Sequence, residues 1–117
     1  MGLTSMARWV GVDLDGTLAH YDGWKGADHI GEPVPLMLWR VKAWLELDVD
    51  VRIVTARVAN GPEQIAVIEA WCKRHIGRRL PVTDQKDFAM LELWDDRVVA
   101  VEPNTGRPLS RSRVGLP

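Results

Sequence analysis

Arg8-Trp9-Val10-Gly11-Val12-Asp13-Leu14-Asp15-Gly16-Thr17-Leu18 is the stretch whose reading decides the fold. An apolar run stops at two aspartates one residue apart and passes at once into a Gly-Thr turn. Physically it is a short buried strand over residues 9–14 that brings two carboxylates to one edge of a sheet. Side chains at i and i+2 of a strand share a face. Like charges held that close repel, and they are tolerated with a compensating cation or a shared proton. Mg²⁺, which takes carboxylate oxygens, is the natural candidate. The rest of the chain must then supply an anion grip and further acids.

Outward from this stretch, the pattern alternates strands with helices. Residues 19–35 hold Gly23, Gly26, Gly31, Pro33 and Pro35 and read as a loop with one hairpin beside the mouth of the first strand. Pro35 suits the first turn of a helix reaching to about Asp48, with Met37, Leu38, Val41, Trp44 and Leu45 as its apolar stripe. Residues 49–55 read as a second strand. Asn60-Gly61-Pro62 opens a second helix that stops near Gly77 and carries Ile65, Ile68, Cys72 and Ile76 on one face. Residues 80–83 form a third strand, residues 84–87 a polar turn or helix start, and residues 90–94 a fourth strand that ends in Asp95-Asp96. Residues 97–101 read as one more strand. The tail from 103 to 117 is patternless and expected to be loose, as are residues 1–7.

Strands alternating with helices predict an open parallel α/β sheet. Ligands of such sheets sit outside the carboxyl ends of the strands. Those ends carry Asp13 and Asp15, then Thr55, then residues 83–86, then Asp95 and Asp96.

Composition bounds the classes. A chain of 117 residues predicts a single domain, with a core over about 8–102. A net charge of −1 gives no general case for nucleic acid or anionic membrane as partner. The single cysteine, Cys72, cannot form an internal disulfide and reads as a core residue. With no secretory apolar segment and no membrane-length run, the expectation is a cytoplasmic protein without a membrane partner. Most of the six tryptophans are expected in the core, and His20 and His29 at the surface.

The acids and their neighbours form one chemical set. Asp13 is the candidate nucleophile toward phosphorus, and Asp15 the candidate general acid and base. The turn at Gly16 and Thr17 brings amide N–H groups to a phosphoryl group, where Thr55 offers a hydroxyl. Lys86 supplies positive charge, and Asp95 and Asp96 complete a Mg²⁺ site.

In this order the motifs resemble those of the haloacid dehalogenase superfamily of aspartate-dependent phosphatases. Asp13-Leu14-Asp15-Gly16-Thr17, Val51-Arg52-Ile53-Val54-Thr55, Lys86, and Leu91-Glu92-Leu93-Trp94-Asp95-Asp96 match its four signatures. The resemblance implies a three-layer Rossmannoid parallel sheet flanked by helices. It also implies Mg²⁺ as cofactor and an aspartyl-phosphate on Asp13. The metal would be held by Asp13, the backbone carbonyl of Asp15, Asp96 directly and Asp95 through water. An Asp at position 15 places the chain with the phosphatases rather than the dehalogenases. The segments after Thr17 and after Thr55 are too short for a cap domain. An uncapped site implies a large phosphate-ester substrate, such as a nucleic acid end, or a second copy of the chain covering the site. Arg57 and Arg97 are similar in placement to arginines of polynucleotide kinase-phosphatase domains. Together with Ala56 they join the candidate substrate-binding residues, and Trp24 of the loop either stacks on a base or pins the loop. The leading expectation is a phosphomonoesterase. A polynucleotide 3′-phosphatase or nucleotidase is its narrower form, and a non-catalytic binding module of the same fold is the alternative from another class.

Overall fold

Four successive apolar or small residues, Trp9–Val12, form β1, and all four are buried. The computed structural model describes residues 8–115. Beside β1 the sheet contains β2 (Asp50–Val54), β3 (Val82–Thr83) and β4 (Met90–Trp94), in the order β3-β2-β1-β4. Every pairing is parallel. Two helices flank the sheet, α1 (Pro35–Glu46) and α2 (Pro62–Ile76). The architecture is α/β, as the alternation of periods predicts.

Local chemistry sets the helix ends. Each helix has proline in its first turn, where the missing N–H costs no helical bond. Gly61, at φ 101°, turns the chain into α2, and Gly77, in the left-handed region, closes it by donating to Cys72 and Lys73. Glu63 in the first turn and Lys73, Arg74 and His75 in the last complement the helix dipole.

The two faces of the sheet are covered differently. Passing from β1 to β2 to β3 moves in one direction across the sheet, and right-handed crossovers then put both helices on one face. There Val10, Val12, Val51 and Ile53 pack with Met37 and Val41 of α1 and Ile68, Trp71 and Cys72 of α2. The other face carries Trp9, with the Arg52 guanidinium 4.5 Å from its ring centroid. The link from β3 back to β4, residues 84–89, returns on this side without a helix. Asp87 within it accepts a 2.9 Å hydrogen bond from the Trp9 indole. The expected third layer is therefore a coil segment over Trp9, and the helices make a single layer.

Two other expectations are corrected. Residues 97–101 do not form a strand, apart from a single bridge between Val101 and Pro108. Their β-branched side chains suit a strand, but Val98, Val99 and Val101 are exposed, and among the described residues no strand pairs with them. The tail is not loose where it is described. Leu109 N–H bonds to Ala100 O at 2.7 Å and Glu102 N–H to Arg107 O at 2.8 Å, with Asn104 and Gly106 at positive φ in the turn between. The chain thus folds back toward the end of β4. Residues 1–7 and 116–117 lie outside the described residues.

The loop over residues 19–35 closes as a hairpin, with Ala19 bridged to Pro33 and Val34 N–H bonded to Leu18 O. A side chain at Gly31 would place its Cβ 2.0 Å from His20 O, so the two arms approach at glycine distance. Of the tryptophans, Trp9 and Trp71 are buried and Trp44 and Trp94 pack edge to face, whereas Trp24 and Trp39 are exposed. No helix of the described residues is long and apolar enough to cross a membrane.

Ile68 is fully buried where α2 meets the sheet, and Phe88 is fully exposed. Ile68→Ala is expected to lower the unfolding free energy by about 3 kcal/mol. Phe88→Ser should change it by less than about 0.5 kcal/mol. Urea denaturation of both variants checks the assignment of the core.

Candidate functional site

The chain leaves β1 for β2 and β3 on one side and returns to β4 on the other. Such a reversal opens a crevice at the carboxyl ends of the diverging strands. The parallel ladder continues one residue past β1, where Asp13 N–H donates to Trp94 O at 2.9 Å. That bond sets Asp13 beside Asp95 and Asp96, and one oxygen from each of the three lies within 4.8 Å of the others. Burial pushes the Asp13 carboxyl up to about 7; the charge of Asp95 and the hydrogen bond and charge of Asp96 add to it, against a Leu14 N–H that favours the anion.

Asp15 does not share in this crowding. Its side chain turns to Arg57, whose Nε donates to Oδ2 at 2.7 Å and Nη2 to Oδ1 at 2.9 Å. Asp13 and Asp15 line one cavity, yet the repulsion on Asp13 comes from the β4 acids, because a guanidinium answers the charge of Asp15. Among the described residues the acidic triad is Asp13, Asp95 and Asp96, without the Asp15 side chain.

The Gly16-Thr17 turn also differs from its expected role. Gly16 N–H bonds to Ala19 O and Thr17 N–H to Leu14 O, so both amides are spent within the turn rather than open to an anion. The Thr17 hydroxyl braces the acids. It lies 3.1 Å from Asp96 Oδ1, accepts from Asp96 N–H at 3.0 Å, and stands 3.5 Å from Asp13 Oδ2. Gly16 has φ 90°, and a Cβ there would come within 2.6 Å of an Asp96 oxygen. Glycine is what lets the two loops close on each other.

Thr55 ends β2 at the cavity, buried, and its hydroxyl oxygen accepts from Arg57 N–H at 3.1 Å. That bond uses the oxygen as acceptor and leaves the hydroxyl hydrogen uncommitted to it. Ala56 follows it on the cavity wall. Arg57, read as a substrate-binding cation, is buried and already committed. Beyond Asp15 it donates to the carbonyls of Ala27 at 3.2 Å and His29 at 2.9 Å, and its guanidinium lies 4.8 Å from the Trp24 ring centroid. It is an internal clamp.

Lys86 is not among the residues that line the cavity, although Asp84, two residues before it, is. It is exposed, on the link that turns off the rim toward Asp87 under Trp9. Arg97 does line the cavity, as does Arg113, which sequence reasoning missed. The returning tail carries Arg113 to Asp96, where Nη2 donates to the backbone carbonyl at 3.2 Å and lies 3.8 Å from Oδ2. The turn through Asn104 and Gly106, both at positive φ, doubles the chain back. Tyr21, Trp24 and Asp84 also line this cavity, whose volume is about 1090 Å³. His20 and His29 are exposed, and Cys72 is buried with its thiol pushed up to about 11 by burial.

No family model matches the chain, and no curated protein matches it. A solved structure, a conserved protein of Bacteroides thetaiotaomicron, is similar in fold, with a TM-score of 0.60 and 22% identity over 80% of this chain and 78% of that one.

The crowding of Asp13 carries a stability cost with a definite sign. In the unfolded chain this carboxyl ionises near 3.8 and in the fold near 7, so between those values the unfolded state holds fewer protons. Stability must therefore fall as pH rises through that window and level off above it. Asp13→Asn should remove this slope in EDTA and be more stable than the native chain at pH 8 by about 1–3 kcal/mol, with the difference vanishing near pH 4. Urea titrations at the two pH values test it.

Proposed function

We propose that the chain is a Mg²⁺-dependent phosphomonoester hydrolase of the haloacid dehalogenase type, with Asp13 as nucleophile. The observation that carries this reading is the placement of Asp13. It sits at the reversal of strand order, partly buried, with Asp95 and Asp96 beside it and Asp15 two residues on at the same cavity. The resemblance of the four sequence motifs and the parallel α/β sheet support it. So does the absence of any visibly replaced acid, which argues against a binding module that has lost turnover.

The donor set fits a hard divalent cation. The converging ligand atoms are carboxylate oxygens, and nothing softer lies among them. Asp13, Asp95 and Asp96 would hold Mg²⁺, with the Asp15 carbonyl as a further ligand by resemblance. When bound it supplies charge neutralisation, which lets Asp13 ionise and approach an anionic phosphate.

In the first step a carboxylate oxygen of Asp13 bonds to phosphorus as the ester P–O bond breaks, and Asp15, entering the step protonated with one oxygen released from Arg57, gives the departing oxygen that proton. In the second, Asp15 takes a proton from water, whose oxygen attacks phosphorus and releases phosphate and free Asp13. Before the reaction Arg57 fixes the direction of Asp15 by holding both its oxygens, and the proton transfers require one of these bonds to open. Thr55 offers its hydroxyl hydrogen to a phosphoryl oxygen. The cationic contribution assigned to Lys86 in the sequence falls instead to Arg97 and Arg113, the lining arginines that Asp15 does not occupy.

Release of p-nitrophenol from its phosphate ester in the presence of MgCl₂ is the expected activity, lost upon adding EDTA. Asp13→Asn should lower kcat by roughly 10³-fold or more. The reading is overturned if the native chain at high concentration turns over no phosphomonoester. The cation assignment has its own test: Arg113→Ala and Arg97→Ala should each raise KM roughly ten-fold, and Lys86→Ala should change kcat/KM less than about three-fold.

A further inference from the structure

The cavity is much larger than a phosphate group, and its walls are unlike. The acids that follow β1 and β4 line it, and so do Tyr21 and Trp24 of the 19–35 loop. Trp24 is 55% exposed and Tyr21 46%. Leaving indole surface in water forgoes burial that a tryptophan normally obtains. A tryptophan that served only to pin its loop would bury its ring, as Trp71 does while donating to Gly31 O at 3.0 Å.

Trp24 is nevertheless held. The Arg57 guanidinium supports it at 4.8 Å from the ring centroid, and Arg57 is itself fixed by Asp15 and by two carbonyls of the same loop. Trp39, the other exposed tryptophan, lies on α1 and does not line the cavity. Trp24 therefore combines a fixed position, free ring surface and the cavity wall. A single side chain, Arg57, separates its ring from the Asp15 carboxylate.

We propose that Trp24 is a stacking platform for the alcohol half of the substrate, so that the site takes phosphomonoesters of a nucleoside or of a nucleotide chain end. The base lies on the Trp24 ring, and the phosphate reaches Asp13 within the same cavity. Flat rings of any sequence stack on an exposed indole, and the contact selects for a ring rather than for one base. The phosphate half of this assignment rests on the hydrolase reading; the stacking half does not.

The test reads both halves separately. kcat/KM is measured with nucleoside monophosphates, a phosphorylated oligonucleotide and glycerol phosphate, for the native chain, Trp24→Ala and Trp24→Phe. The ratio of the better nucleotide substrate to glycerol phosphate should fall roughly ten-fold in Trp24→Ala, chiefly through KM, and recover in Trp24→Phe. Whether the monophosphates or the oligonucleotide lead identifies the source of the base, and either supports the platform. An equal loss on all substrates, or none, overturns it. Binding of adenosine and cytidine, which carry no phosphate, is followed by the indole N–H resonance of Trp24 in Asp13→Asn. A shift that saturates supports stacking even if no ester is hydrolysed, which would sink the hydrolase reading alone. An unmoved resonance, with ester hydrolysis intact, removes the platform and leaves the hydrolase.

Discussion

One guanidinium ties the site to its scaffold. Arg57 leaves the end of β2 and makes four hydrogen bonds, two to the Asp15 carboxylate and two to carbonyls of the 19–35 loop, while its flat face supports Trp24. The planar fork of arginine allows this; a lysine ammonium is a point charge with no such geometry. The pair is largely out of water, with Arg57 6% exposed and the Asp15 side chain 20%. Removing one member of such a pair strands the other, typically at a cost of about 3–5 kcal/mol. The direction of Asp15, the course of the loop and the position of the aromatic wall thus share one origin. Gln64 and Trp71 on α2 extend the hold by donating to the carbonyls of Ala27 and Gly31.

Topology supplies the second constraint. Because β4 returns to the far side of β1, the acids that follow these two strands must meet, and the Asp13–Trp94 backbone bond fixes their register. The fold accepts the mutual repulsion that results and offsets part of it locally. The Leu14 amide favours the Asp13 anion, and Arg113 arrives on Asp96 from the returning tail. Glycine at position 16 permits the closeness, and Thr17 bridges the two loops that carry the acids.

What the sequence revealed, and what it hid, divides by the range of the interactions. The helix ends were legible because Pro35, Gly61-Pro62 and Gly77 act within a turn of their own positions. Asp13, Asp95 and Asp96 were legible because they follow apolar runs that form strands, buried in β1 and half-exposed in β4. Lys86 was less legible because its place depends on how β3 connects to β4, where the chain crosses over Trp9. Arg57 read as a substrate arginine since its partner, Asp15, lies 42 residues away. The run from Val98 to Val101 has the residues of a strand, but strand formation also needs a neighbour, which composition does not record. Arg113 gave no local signal at all, being 17 residues from Asp96 through a turn whose reach only the folded chain defines.

The lone thiol of Cys72 gives the molecule a built-in reporter of opening. It sits fully buried on α2, one residue from the Trp71 that holds the 19–35 loop. Buried and raised to about 11, it is inert to alkylating reagents while the helix is seated. Its labelling rate therefore measures how often α2 lifts from the sheet, in the manner of amide exchange but at a single chemical site. Because the chain has only one cysteine, that rate is free of competing signals. Breathing of the helix that anchors the aromatic wall can be clocked in the native sequence, with no engineered label.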